Sequence, residues 1–154
     1  MIFKELRYAQ QYIYNPLGFV CINIKNEAES KEYGACAFEM NGKRILFRAA
    51  KITPTKTGQF VTLWKRIGNG PIMPYDMSDP FDLCIIHVSA NGKIGQFIFP
   101  KEELYAQGVI SQNGVGGKRA MRVYPAWDAT DNKQLKRRRN GSLNTLSSWV
   151  TMMQ

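Results

Sequence analysis

The 154-residue chain has no apolar run approaching the roughly 18 residues that a membrane-spanning helix needs. Its opening, MIFKELRYAQQY, is amphipathic where a secretory signal would be continuously apolar. A soluble, cytoplasmic protein with no membrane partner is therefore expected. Cysteine is scarce. Cys21, Cys36 and Cys84 are odd in number, lie among apolar neighbours and have no C-x-x-C spacing, which argues against a disulfide framework or a zinc site. They read as reduced core thiols in a reducing compartment. The sole histidine, His87, sits inside an apolar strand pattern and reads as a core residue rather than a base or ligand. The absence of GxSxG, HExxH, Walker and Rossmann patterns removes the enzyme classes that carry those signatures. No resident cofactor is expected.

One further absence is local. Between positions 44 and 66, RILFRAAKITPTKTGQFVTLWKR, there is no Asp or Glu. Two apolar, β-rich runs, 45–47 and 60–64, flank a hinge of donors and cations: Arg48, Lys51, Thr53, Thr55, Lys56, Thr57 and Gln59. Threonine and glutamine donate to phosphate oxygens, lysine neutralises them, and arginine binds them bidentately. With Lys65 and Arg66 the stretch carries five cations outside its first residue and no acid beside them, so it reads as a surface for phosphates or another polyanion. The plainer reading is that the lysines are solvated and the threonines satisfy turn backbone.

What the chain does contain fits one soluble domain: 44% hydrophobic and 12% aromatic residues, with a length able to bury roughly 70% of its unfolded surface. The formal charge is +9, but four cations are consecutive at 136–139, and without them it falls to +5. Local clusters therefore carry more information than the total. Helical spacing of Phe3, Leu6, Ala9 or Gln10, and Ile13 predicts a helix over 2–14, stopped by Asn15-Pro16. Residues 18–24 read as a short strand or a buried connection. Asn41-Gly42 and Asn91-Gly92 each join two strand-like runs, 34–40 with 43–50 and 82–89 with 93–99, as type I′ hairpins. Residues 68–80, rich in Pro and Gly, read as a loop, Pro100 opens a short helix ended by Gly108, and 118–124 reads as a strand. The expected class is α+β, with a mixed, mostly antiparallel central sheet flanked by helices.

Two other clusters bear on function. In GGKRAMRVYPAW, Lys118, Arg119 and Arg122 precede Tyr124 and Trp127, a mixture of cations and aromatics suited to a nucleic-acid strand. Alternation puts Arg119 with Met121 on one face and Lys118 with Arg122 on the other, and an edge strand protected by charge is the competing reading. The acids Glu29 and Glu32 stand one helical step apart and would share a helix face, the minimum from which a Mg²⁺-dependent phosphodiesterase using Lys51 could be built. A solvated helix face is their ordinary alternative.

The segments EAESKEYGA, ILFRAAKITPTKTGQFVTLWKR, IGQFIFPKEEL and GKRAMRVYPAWD, in this order over roughly residues 27–128, resemble the MepB family. These are small bacterial proteins named after a gene beside a multidrug efflux pump, with no settled biochemical activity. The resemblance implies a PD-(D/E)XK restriction-endonuclease-like core and nucleic acid, DNA or RNA, as partner. A working nuclease of that fold places an acid two residues before a lysine on a central strand, yet Ala49 precedes Lys51 and Leu63 precedes Lys65 at that spacing. Binding without catalysis is the expectation, through Arg48, Lys51, Thr53, Thr55, Lys56, Gln59, Lys65, Lys118 and Arg119, with Trp64 or Trp127 stacking on a base. Mg²⁺ enters only in the phosphodiesterase alternative, and a small-molecule or protein-partner module linked to drug export is a further one. The family-like domain spans 1–134. Residues 135–154 depart from the family pattern, and synonymous codons can be chosen for which a shifted frame reads as a family-like aromatic segment, so this tail is expected to be frame-shifted.

Overall fold

The computed structural model describes residues 2–127 and the backbone of 149–153. The chain opens with helix α1 (Lys4–Ala9), which runs on through a π turn (Gln10–Tyr14) into a 3-10 turn (Asn15–Leu17). Leu6, Ala9 and Ile13 are buried as their spacing predicts. Pro16 does not stop the helix abruptly. It sits inside the terminal 3-10 turn, where its missing N–H costs little, and Gly18 at φ 78° ends the segment.

Five strands then form the frame of a six-stranded sheet: β1 (Ile22–Asn26), β2 (Cys36–Met40), β3 (Lys43–Ala49), β8 (Leu83–Ala90) and β9 (Lys93–Pro100). They lie in the order β1-β2-β3-β8-β9, and β11 (Trp149–Met153) completes the far edge against β9. Only β3 and β8 pair in parallel; every other neighbour is antiparallel. Both Asn-Gly turns form as predicted, with Asn41 and Gly42 at φ 52° and 73°, and Asn91 and Gly92 at 51° and 77°. Apart from β11, the tail at 128–154, with the basic run at 136–139 and the expected frame shift, lies outside the described residues.

Four short strands between β3 and β8, joined by β10 after α2, build two small sheets. β4 (Lys51–Ile52), β5 (Gln59–Thr62) and β10 (Ala120–Val123) make one, in the order β10-β5-β4, and β6 (Lys65–Arg66) pairs with β7 (Ile72–Met73) in the other. The β-rich run at 60–64 thus stops pairing at Thr62, with Lys65–Arg66 a separate strand, and the loop expected at 68–80 contains β7. Short helix α2 (Lys101–Ala106) follows Pro100 and gives way at Gly108, φ 76°.

The central strands are buried on both faces, which explains near-continuous apolar runs such as LCIIHV in β8. Ile45, Phe47 and Ile85 face α1 in one cluster, while Leu46, Cys84, Ile86 and Val88 face Val61, Leu63, Met121, Val123 and Leu104 in another. The architecture is α+β, three layers deep: α1, the six-stranded sheet, and the small sheet with α2. The class expected from the sequence is the class observed.

Candidate functional site

The acid-free stretch 44–66 is not acid-free in space. Arg48 is 0% exposed; its guanidinium reaches Glu27 at 2.8 Å, the Tyr75 hydroxyl at 3.3 Å and the Phe47 carbonyl at 2.9 Å. Lys65 pairs with Asp79 at 2.8 Å, and Arg66 pairs with Glu29 at 3.1 Å while donating to the Gly70 carbonyl. Three of the five hinge cations are therefore neutralised by acids from positions 27, 29 and 79. This corrects Arg48 as a phosphate ligand, since parity on β3 turns it into the core, and leaves Lys65 committed to a half-buried ion pair. Gln59 is likewise 1% exposed and donates to the Ser89 carbonyl, so it faces inward. Trp64 is half-buried, away from the β4-β5-β10 pairings, with the Glu29-bound Arg66 guanidinium 5.6 Å over its ring. Trp127 packs on the core cluster.

The remaining cations do meet. Lys51, Phe60 and Arg122 are direct cross-strand partners on β4, β5 and β10, so their side chains share one face of the small sheet. The Lys51 Nζ lies 4.9 Å above the Tyr33 ring, Tyr33 meets Phe60 edge-on at 6.2 Å, and the Arg122 guanidinium lies 6.0 Å from Phe60. Cations and aromatics thus alternate across the face. Arg122 also donates to the Thr53 hydroxyl and the Thr57 carbonyl, bracing the loop that carries exposed Thr55 and Lys56. Lys118 is exposed and continues the parity of Arg122; Arg119, also exposed, has the opposite parity, and its carbonyl accepts from the Leu63 N–H. The two basic segments, separated by some sixty residues of chain, lie on either side of β5.

Glu29 and Glu32 do not converge. No helix joins Glu29 and Glu32: Ser30 at φ 61° turns the chain between them, and only Lys31–Tyr33 is helical. Glu29 lines a 210 Å³ cavity with Trp64, Lys65 and Arg66, whereas Glu32 lines a separate 320 Å³ cavity with Glu5, Lys51 and His87. Among the described residues no three His, Cys, Asp or Glu side chains are placed to hold a metal ion. Ala49 pairs with His87 on β8, and neither β3 nor β8 carries an acid at the positions beside Lys51. The aspartates at 76, 79 and 82 are structural. Asp76 accepts from Ser111, Ser78 and the Gly114 N–H, bonds that hold its carboxyl below the usual range.

The MepB-like family model matches residues 27–147. The chain belongs to the MepB-like family. A solved structure described as "Crystal Structure of MepB" is similar at 30% identity with a TM-score of 0.77, covering 86% of this chain and 87% of that one. No curated protein matches. Among the described residues, no helix of this MepB-like chain is long and apolar enough to cross a membrane.

Sequence reasoning named Lys51 and Lys118, which the small sheet brings to either side of β5, but not Tyr33 and Phe60. Period-2 alternation in 59–62 signalled one outward aromatic, Phe60. Nothing local signalled that Tyr33 would cross from the β1–β2 connection to stack beside it.

Proposed function

We propose that this MepB-like domain binds nucleic acid through the outer face of the β4-β5-β10 sheet, on a core of PD-(D/E)XK-like architecture that has lost its metal ligands. The observation that carries this reading is the row Lys51-Phe60-Arg122, in which two cations flank an aromatic ring and neither makes an ion pair among the described residues. Lys56, Lys118 and Arg119 extend the positive charge around the row. Lysine and arginine neutralise backbone phosphates, while Phe60 and Tyr33 supply rings on which a base stacks, a combination that tolerates any sequence. Arg48, Lys65 and Arg66, being paired, hold the scaffold instead. Ala49, standing where a nuclease of that fold needs an acid before Lys51, supports binding without cleavage.

Binding of this kind is measured by fluorescence anisotropy of a labelled single strand across a salt series. Four phosphate-facing cations, Lys51, Lys56, Lys118 and Arg122, give a slope of log K against log salt of about −2.8 for a single strand, and each Lys→Ala change on the face reduces it by about 0.7. Lys51→Glu with Lys118→Glu abolishes binding at physiological salt, whereas Lys43→Glu, at the β2–β3 turn, leaves the slope unchanged. Affinity indifferent to salt sinks the reading.

A further inference from the structure

The 320 Å³ cavity beside Lys51 has a feature that the outer face lacks, a buried polar ring in its wall. His87 is 2% exposed and lines this cavity together with Lys4, Lys51, Lys93, Glu5 and Glu32. Behind the ring runs a buried relay. The Tyr14 hydroxyl donates to Gln96 Oε1 at 2.9 Å, which turns the Gln96 amide nitrogen toward His87 Nδ1 at 3.4 Å. An amide N–H can only donate, so Nδ1 accepts and the ring proton resides on Nε2. Nε2 is the ring nitrogen that Gln96 does not engage, and His87 lines the cavity. Burial keeps this imidazole neutral, its pKa lowered to about 4, so it offers a fixed N–H without competing for the lysines' charge.

The lining charges specify a class of occupant. Lys4 comes from α1, Lys51 from β4 and Lys93 from the start of β9, three lysines from separate elements. None forms an ion pair among the described residues, although Glu5 and Glu32 border the same space. A phosphate monoester carries up to two negative charges and suits three lysines and an N–H donor. The two carboxylates, which repel a bare anion, suit the hydroxyls of an attached sugar.

We propose that the His87 cavity is a binding site for a nucleoside monophosphate, its phosphate held by Lys4, Lys51, Lys93 and the His87 N–H and its sugar hydroxyls donating to Glu5 or Glu32. The ligand is either a free nucleotide or the phosphorylated end of a strand lying on the adjacent face. This rests on the nucleic-acid reading only for the second source.

Because His87 is the one histidine in the chain, its ring signals can be followed without ambiguity in protein labelled with ¹⁵N-histidine. Adenosine 5′-monophosphate moves the His87 ring signals saturably, and Lys93→Ala weakens that titration about tenfold, the loss of one charge-assisted contact. In parallel, 5′-phosphorylated and 5′-hydroxyl single strands are compared by anisotropy. Tighter binding of the phosphorylated strand, lost in Lys93→Ala, assigns the site to strand ends; equal binding with a saturable His87 shift assigns it to free nucleotide. Ring signals unmoved by the monophosphate, with no preference between strands, overturn the proposal even where salt-dependent binding on the outer face persists. Loss of that salt dependence alone removes the outer-face reading and leaves the cavity intact.

Discussion

Arg48 shows how strongly position decides what a charge does. It reads as a ligand in a basic stretch, but Leu46 and Arg48 share the inward face of β3, so its guanidinium must be solvated by protein: Glu27, Tyr75 and the Phe47 carbonyl. A buried ion pair adds little over an apolar pair of equal volume, yet removing one partner strands the other. Glu27→Gln therefore destabilises by about 3 kcal/mol, read as a lower urea midpoint at unchanged slope, with unaltered nucleic-acid affinity for the protein that remains folded. Arg48→Ala has the same signature. A loss of affinity larger than the loss of folded fraction would return Arg48 to the binding surface. The same residue marks the limit of reading from sequence. The run at 44–66 states which cations are present, but whether an acid lies beside them depends on Glu27, Glu29 and Asp79, which only the sheet topology brings near.

At the scale of elements, the hairpins were legible and the small sheet was not. Asn41-Gly42 and Asn91-Gly92 encode their turns locally, because only residues that tolerate positive φ close a type I′ hairpin. The β4-β5-β10 sheet depends on a pairing between 59–62 and 120–123, and no local pattern records a partner sixty residues away. What is local is Gly58. It sits at φ 83°, and a Cβ there would lie 2.6 Å from the Tyr124 ring and 2.8 Å from the Val123 carbonyl. Gly58→Ala therefore costs about 2 kcal/mol or more and loosens the hinge that Arg122 braces. The measurable outcome is a lowered melting temperature together with weaker strand binding, since Lys56 and Lys51 flank the loop. Gly42→Ala, at a similar φ with nothing within 4 Å of the added carbon, carries the conformational cost without the clash and leaves binding alone.

For the whole molecule, pH is the perturbation that reaches separate parts of the structure at once. His87 is buried and neutral, with its pKa lowered by desolvation from its ordinary 6.5 to about 4. Unfolding releases that constraint, so between those two values the unfolded chain binds more protons than the folded one and stability falls as pH falls. The shift corresponds to roughly 3 kcal/mol. Lower down, Asp82 takes over. Its carboxylate accepts the Arg44 backbone N–H at 2.8 Å and two guanidinium bonds at 3.1 and 3.2 Å, pinning the entry of β8 beside β3, and these hold its pKa at about 2. Asp76, lowered by its own hydrogen bonds, acts in the same direction. Both carboxylates stabilise fully above their unfolded value near 4 and lose that contribution as pH drops through the folded one. The melting temperature should therefore decline in two limbs, one between about pH 6.5 and 4 and a second below about pH 4. His87→Phe flattens the upper limb and Asp82→Asn the lower. A saturating monophosphate bound at the His87 cavity raises the whole upper limb, because a ligand held only by the folded state adds its binding free energy to stability. A pH profile flat down to pH 4 would mean that the imidazole is not desolvated, and with it the fixed N–H donor of the cavity would be lost.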